Sequence, residues 1–294
     1  MTLYIIANPH AGNHGAKQVI NAIQKQCPSA ICSFFTRYQN DESHQVEKLL
    51  KTFDSEEDKL LIVGGDGTLS KVLYHLPANL PFAYYPVGSG NDFAHALGIV
   101  PDIDVLLASL TTQPKAITVY SYQEGLVLNS LDLGFAAWVV NQATHSRLKR
   151  VLNKCHLGKL TYVATAIQCL LKNPLQASVS LESSEGTSIV LKEYFFFSLA
   201  NNTYFGGGIM IWPSATVHSQ YLECVYAKGE SFFQRLTVLL SLVLKRHEQS
   251  SYLNHCSLKQ VSLTFPKESL IEIDGEMVSL KAISLVPQKR YIYL

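Results

Sequence analysis

Leu60-Leu61-Ile62-Val63-Gly64-Gly65-Asp66-Gly67-Thr68 is the stretch whose reading decides the fold. Four apolar residues with no polar interruption read as a strand covered on both faces, the kind found in parallel sheets. Two glycines follow at once, then Asp-Gly-Thr and a helix-like segment from Leu69 to His75. Glycines here allow positive φ and close backbone approach, so amide N–H groups and a helix amino end face a phosphate. A plain strand-to-helix turn is the alternative, but two adjacent glycines plus Asp-Gly-Thr are a costly way to make one. Asp66 would repel a bare phosphate, and its presence makes sense with Mg²⁺ lying between them, directly or through water.

Outward from this stretch the pattern repeats. Apolar runs at Leu3 to Ala7, Ile31 to Phe35 and Phe82 to Tyr85 alternate with helical segments after Gly15, from Glu42 to Phe53 and near Asp92. That alternation predicts a mostly parallel sheet with helices on both faces, whose ligands sit at the carboxyl ends of the strands. Two more loops lie at such ends: Asn8-Pro9-His10-Ala11-Gly12, and Pro86-Val87-Gly88-Ser89-Gly90-Asn91-Asp92-Phe93. Each is a weak signal alone. Three phosphate-competent loops at one sheet edge point to a nucleotide. The sequence has neither the GxxxxGK[ST] loop nor the dinucleotide pattern GxGxxG.

From about Ile117 the texture changes to period-two strands, such as Ala177 to Leu181 and Val261 to Phe265. Helical segments from Gly158 to Leu171 and Ser231 to Lys245 interrupt them, and Arg290 to Leu294 reads as a strand returning to the first unit. The expected organisation is α/β plus all-β: a Rossmann-like nucleotide-binding α/β domain over 1–117, rejoined by a terminal strand at 288–294, and an antiparallel β-sandwich over 118–287 that binds lipid. A length of 294 residues suits two domains.

Composition narrows the function. Only 16% of residues are charged, and 24 Lys plus Arg balance 23 Asp plus Glu, which argues against nucleic acid as a partner. Six scattered cysteines, with no CxxC pair, argue against zinc. The first ten residues read as a strand and not as a signal peptide, so a cytoplasmic, reduced protein is expected. The longest apolar stretch, Leu236 to Leu244, is far short of the ~20 residues that span a bilayer. A lipid substrate would therefore be met at the membrane surface, with the protein peripheral to it.

The chain resembles the diacylglycerol kinase catalytic-domain family, especially the soluble bacterial lipid kinases. The resemblance rests on NPHAG (8–12), GGDGTLSKV (64–72), PVGSGNDFAHALGI (86–99), LGKLTYVATAIQCLLK (157–172), FFFSLANNTYFGGGIMIWPSA (195–215) and IEIDGE (271–276), in family order. It implies ATP and Mg²⁺ as cofactors, with transfer of the γ-phosphate to a lipid hydroxyl, most simply that of diacylglycerol, in phospholipid metabolism. It also implies nucleotide contacts from Asn8, Thr36, Gly64, Gly65, Asp66, Gly67, Thr68, Ser70 and Ser89. Asp66 and Asp92 would hold the catalytic Mg²⁺ through water, and Asp274 would be the general base. Read without the family, Asp274-Gly275 is a hairpin turn of type I′.

Several residues depart from the family pattern. Lys71 replaces an acid, His95 replaces a base, and Thr118 stands where an aspartate joins the metal network. The family builds a second, structural Mg²⁺ site from positions corresponding to Thr216, Ser219 and Tyr221. With Ser219-Gln220 in place of Asp-Gly that site loses its carboxylate and is expected to be empty. These departures keep a non-catalytic nucleotide- or lipid-binding relative open as a second reading. NAD kinase and 6-phosphofructokinase share GGDGT-like loops but leave the other blocks unexplained. Arg147, Lys149, Arg150, Lys154 and Lys159 form an acid-free basic stretch, read first as a solvated helix face and second as a contact for anionic lipid. The acceptor lipid is not legible, and a homodimer through a sheet edge is open.

Overall fold

A computed structural model describes residues 2–11, 15–27, 30–38, 40–145, 167–171, 178–205 and 208–294. The basic stretch over 147–159 and most of the expected helix over 158–171 lie outside the described residues, although 167–171 is helical.

The amino-terminal sheet has four parallel strands, β1 (Thr2–Ala7), β2 (Ala30–Phe35), β3 (Lys59–Gly64) and β4 (Ala83–Pro86), in the order β2-β1-β3-β4. Alternate residues of each strand enter different cores. Leu3, Ile5, Leu61 and Val63 pack with α1 (Gly15–Gln26) and α5 (Ile103–Ser109) on one face. Tyr4, Ile6, Leu60 and Ile62 pack with α2 (Glu42–Leu50) and α3 (Asp66–His75) on the other. Both faces are apolar, which is why the strands read as unbroken runs. The order reverses at β1, so the crevice between the ends of β1 and β3 is the topological switch point. The third helix starts at Asp66, three residues before the segment read from sequence, and α4 (Asp92–Ala96) follows β4.

The rest is built on antiparallel strands. β5 (Lys115–Tyr122), β6 (Gly125–Val127), β7 (Ser130–Gly134), β10 (Phe196–Ala200), β13 (Leu222–Ala227), β14 (Asn254–Leu258), β15 (Val261–Ile273) and β16 (Glu276–Ile292) form one path, β14-β13-β10-β7-β15-β16-β5-β6. A hairpin of β8 (Val179–Ser183) and β9 (Ser188–Leu191) joins it at β15, and β11 (Tyr204–Phe205) pairs with β12 (Ile209–Met210). Inward residues such as Leu131, Leu181, Leu199, Leu263 and Leu285 fill the sandwich core. The helices that cover this part include α6 (Phe135–His145) and a helix over Phe232–Val243, here α7, which opens on a capping box between Ser231 and Gln234.

One strand ties the two parts together. β16 pairs with β15 along its first half and with β5 along its second, and its end bridges to Phe82 beside β4. The carboxyl end is thus the continuation of a long strand and not a separate element beginning at 288. Arg290 on this strand is 2% exposed and donates to the carbonyls of Leu73 (2.6 Å) and Leu76 (2.8 Å), the end of α3. Its cation faces the negative pole of the helix whose other end carries Asp66. The core on this side also holds Ile117, Val119, Leu126, Leu128, Val217 and Ile292, so the two units share apolar packing.

Candidate active site

The GGDGT loop needs its glycines for space. Gly64, Gly65 and Gly67 keep ordinary φ, contrary to the positive values that two adjacent glycines suggest. A Cβ on Gly64 would lie 2.6 Å from Cβ of Thr68, and one on Gly88 would lie 2.8 Å from Cα of Gly65. The loops after β3 and β4 are therefore packed backbone against backbone. Asn8 extends the arrangement, donating from Nδ2 to Oγ1 of Thr68 (3.1 Å) and accepting the N–H of His10 (2.9 Å). Thr36, buried at the end of β2, donates its N–H to Ala7 (3.0 Å). Ser89 lies exposed on the turn after β4, whereas Ser70 turns the other way and donates its hydroxyl to the carbonyl of Leu126 (3.1 Å).

Asp66 is the first residue of α3, and its carboxylate is turned across the loops. Oδ2 accepts the backbone N–H of Asp92 (2.8 Å) and Nδ2 of Asn129 (3.3 Å), while Oδ1 accepts the hydroxyl of Tyr84 (3.3 Å). Burial raises the Asp66 pKa, and the charge of Asp92 raises it further.

Asp274 and Gly275 are the two-residue turn between β15 and β16, with φ of 49° and 89°. The turn reading and the site reading are both satisfied, because the type I′ geometry points the carboxylate inward. Oδ2 of Asp274 accepts the N–H of Leu128 (2.7 Å), and Oδ1 accepts those of Asn129 (2.7 Å) and Ser130 (3.2 Å). Burial pushes its pKa up to about 7 against the opposing pull of these three amides, and Asp66 adds to the rise. Behind the turn, Glu272 and Asp132 oppose each other on β15 and β7, both buried, and Gly275 donates its N–H to Glu272. Burial and the charge of Asp132 hold the Glu272 pKa well above its ordinary value.

Asn129 joins the two halves: its backbone N–H goes to Asp274 and its side-chain amide to Asp66. Asn202 donates to Oδ1 of Asn129, and Asn201 donates to the carbonyls of Thr118 (2.9 Å) and Leu128 (2.8 Å). Sequence reading named neither Asn129 nor the Asn201-Asn202 pair as site residues, although the pair stands inside the quoted block SLANNTYFGGG. A cleft of about 410 Å³ opens beside the turn, lined among others by Gly67, Ser70, Lys71, Tyr122, Asp274 and Glu276. Asn91 and Asp92 do not line it, and Asp92 is buried. Lys71 reaches across the cleft to Glu276 (2.8 Å), so this departure from the family pattern pairs with the acid of the Asp274-Gly275-Glu276 turn.

The donor chemistry suits Mg²⁺. The charge of Asp92 raises the cost of ionising Asp66, and that of Asp66 the cost of ionising Asp274, which a divalent cation relieves. Among the described residues no cluster of three or more metal-ligating side chains forms a cage. At the second position the hydroxyl of Thr216 accepts the N–H of His218 (3.3 Å), and that of Ser219 accepts the N–H of Tyr221 (3.0 Å). The loop closes on its own hydrogen bonds. His95 stacks on Tyr204, with ring centroids 4.3 Å apart.

Residues 2–122 match the family described as the diacylglycerol kinase catalytic domain, and residues 133–289 match the YegS C-terminal NAD kinase beta sandwich-like domain. A Staphylococcus epidermidis protein named "Putative lipid kinase" is 27% identical over 90% of this chain and 87% of its own. A diacylglycerol kinase structure from Bacillus anthracis superposes with a TM-score of 0.69 at 14% identity, covering 99% of this chain and 96% of its own. An NAD kinase from Archaeoglobus fulgidus, solved in complex with ATP, gives 0.52 at 13% identity over 100% and 94%. These likenesses cover both units in the order in which the chain carries them, and the chain belongs to the family that joins the diacylglycerol kinase catalytic domain to the YegS-type β-sandwich.

Proposed function

We propose that this chain is an ATP-dependent lipid kinase that transfers the γ-phosphate to a lipid hydroxyl at a membrane surface, with diacylglycerol as the first acceptor to test. The observation that carries the reading is Asn129, which links the acid of the GGDGT loop to Asp274 across the junction of the two units. The amide-rich crevice at Asn8, Thr36, Gly64 to Thr68 and Ser89 takes the nucleotide phosphates, because close-packed loops at strand ends present N–H groups to an anion. Asp66 and Asp92 would hold Mg²⁺, which when bound would supply charge neutralisation for the transferring phosphoryl group. Asp274 takes the proton of the attacking hydroxyl; with its pKa pushed up to about 7 it is a competent base near neutral pH. The cleft beside Asp274 admits the lipid head, and Tyr122, whose pKa is pushed up to about 12 by burial and by Asp274, stays a neutral wall. No described helix is long and apolar enough to cross a membrane. The second metal position is proposed to stay empty, with the hydroxyls of Thr216 and Ser219 engaged by backbone amides.

The test is turnover of labelled ATP with diacylglycerol, a sphingoid base and a polyprenol in mixed micelles, and with NAD in solution. Phosphorylation of one lipid class and not of NAD is the expected result. Transfer to NAD alone, or none with ATP binding intact, replaces the proposal with the NAD kinase-like or the non-catalytic reading.

A further inference from the structure

Cys224 on β13 and Cys256 on β14 stand directly opposite each other in an antiparallel pair. Opposed residues of such a pair have Cα atoms ~4.5–5.5 Å apart, inside the ~4.4–6.8 Å range that a disulfide spans. Both side chains therefore leave the sheet on one face, here the face of the sandwich core. Cys224 is buried in that core, and Cys256 packs against its edge and is partly exposed. The neighbouring Cys224 thiol lowers the pKa of Cys256, and the Cys256 thiol together with burial holds that of Cys224 well above its ordinary value. β14 ends the sheet path, so Cys256 is reached from solvent without opening a strand pair. The remaining described cysteines, Cys27, Cys32 and Cys169, lie elsewhere in the fold. Burial pushes the Cys169 thiol up to about 12, which makes it a poor nucleophile.

We propose that Cys224 and Cys256 form a redox-modification site that a hydroperoxide closes to a cross-strand disulfide. The Cys256 thiolate attacks one peroxide oxygen, the O–O bond breaks, and a sulfenic acid and hydroxide result. The Cys224 sulfur then attacks the sulfenic sulfur, forming the S–S bond and expelling hydroxide, which leaves as water with the Cys224 proton. Two thiols and one hydrogen peroxide give one disulfide and two waters. Cys256 is the attacking residue because it is the more exposed and the better stabilised as thiolate. Cys224 resolves. The bond ties the edge strand β14 to β13 and closes residues 224–256, including α7, into a loop, which restricts the unfolded chain.

The experiment treats the reduced full chain with hydrogen peroxide, blocks free thiols, digests, and searches by mass spectrometry for the linked peptides. The expected result is a Cys224–Cys256 link two hydrogens lighter than the free thiols, with a melting temperature several degrees higher that dithiothreitol reverses. Cys256→Ser should slow peroxide consumption by ~10-fold or more. Cys224→Ser should stop the reaction at a sulfenic acid on Cys256 that dimedone captures. Absence of the link in wild-type protein after its other thiols have oxidised overturns the proposal, and that measurement stands whether or not either variant folds. Equal peroxide rates for the two variants overturn the assignment of Cys256 as the attacking thiol.

Discussion

Two aspartates at the site are each held above the ordinary carboxylate pKa by burial. Asp66 is buried beside Asp92, and its pKa is raised by that burial and that charge, so its ionised form costs the fold energy at neutral pH. Asp66→Asn keeps an oxygen to accept the N–H of Asp92. The variant should melt at the same temperature as wild type or slightly higher while phosphoryl transfer is lost; near-normal transfer would remove Asp66 from the chemistry. Asp274 is the second case. Its folded pKa of about 7 lies above the ordinary carboxylate value, so its contribution to stability is full below about pH 4 and is lost as pH rises through 7. Asp274→Asn escapes that loss, and its melting temperature should gain on wild type between pH 4 and pH 8. Turnover runs the other way, since the base must be ionised. The acid limb of kcat/KM should have its midpoint at or below about pH 7, because bound cation only favours the carboxylate. Asp274→Asn should lower kcat by roughly 10²-fold or more with ATP affinity little changed. An ATP affinity that falls in step with kcat would make Asp274 a nucleotide ligand and not a base.

At the scale of elements, helix α3 is held at both ends. Asp66 fixes its start to the loop before α4 and to Asn129, and Arg290 on β16 satisfies the carbonyls of Leu73 and Leu76 at its finish. Burial lowers the Arg290 pKa to about 10, which still leaves the guanidinium charged at neutral pH. Arg290→Met fills similar space but strands two buried carbonyls. Unsatisfied groups of this kind cost ~1–3 kcal/mol each, and part of that is returned by no longer desolvating a cation. The net loss should be about 2–3 kcal/mol in a urea titration. Because the helix carries the phosphate loop, the Michaelis constant for ATP should rise as well. A variant with unchanged stability would show that water reaches these carbonyls. Lys71 and Glu276 form a weaker tie of the same kind across the cleft, partly exposed, and a surface pair contributes ~1 kcal/mol or less.

Across the whole molecule the units are joined by a shared core, by β16 and by the Asn129 bridge. Asp66 and Asp274, which belong to different units, are linked through Asn129. The loop at Thr216, Ser219 and Tyr221 belongs to this scale too, since Thr118 donates its N–H to Val217 (2.6 Å) and Tyr120 its hydroxyl to Gln220 (2.7 Å). With no carboxylate among those three residues and its own hydrogen bonds in place, chelator should move the melting temperature by less than about 2 °C without nucleotide, a small effect for a chain of this size. A larger loss would reveal an oxygen site elsewhere. The sequence by itself determined the parallel sheet, because strands buried on both faces leave unbroken apolar runs such as Leu60 to Val63, and it located the glycine loops at the strand ends, where a Cβ would meet the Thr68 side chain at Gly64 and the Gly65 backbone at Gly88. It also located the Asp274-Gly275 turn, since that dipeptide suits positive φ at both residues. Only the tertiary structure decided that Asn129 joins Asp66 to Asp274, that Lys71 meets Glu276, and that Cys224 faces Cys256. These contacts link residues far apart in the chain, and strand register, which no local pattern encodes, sets which of them meet.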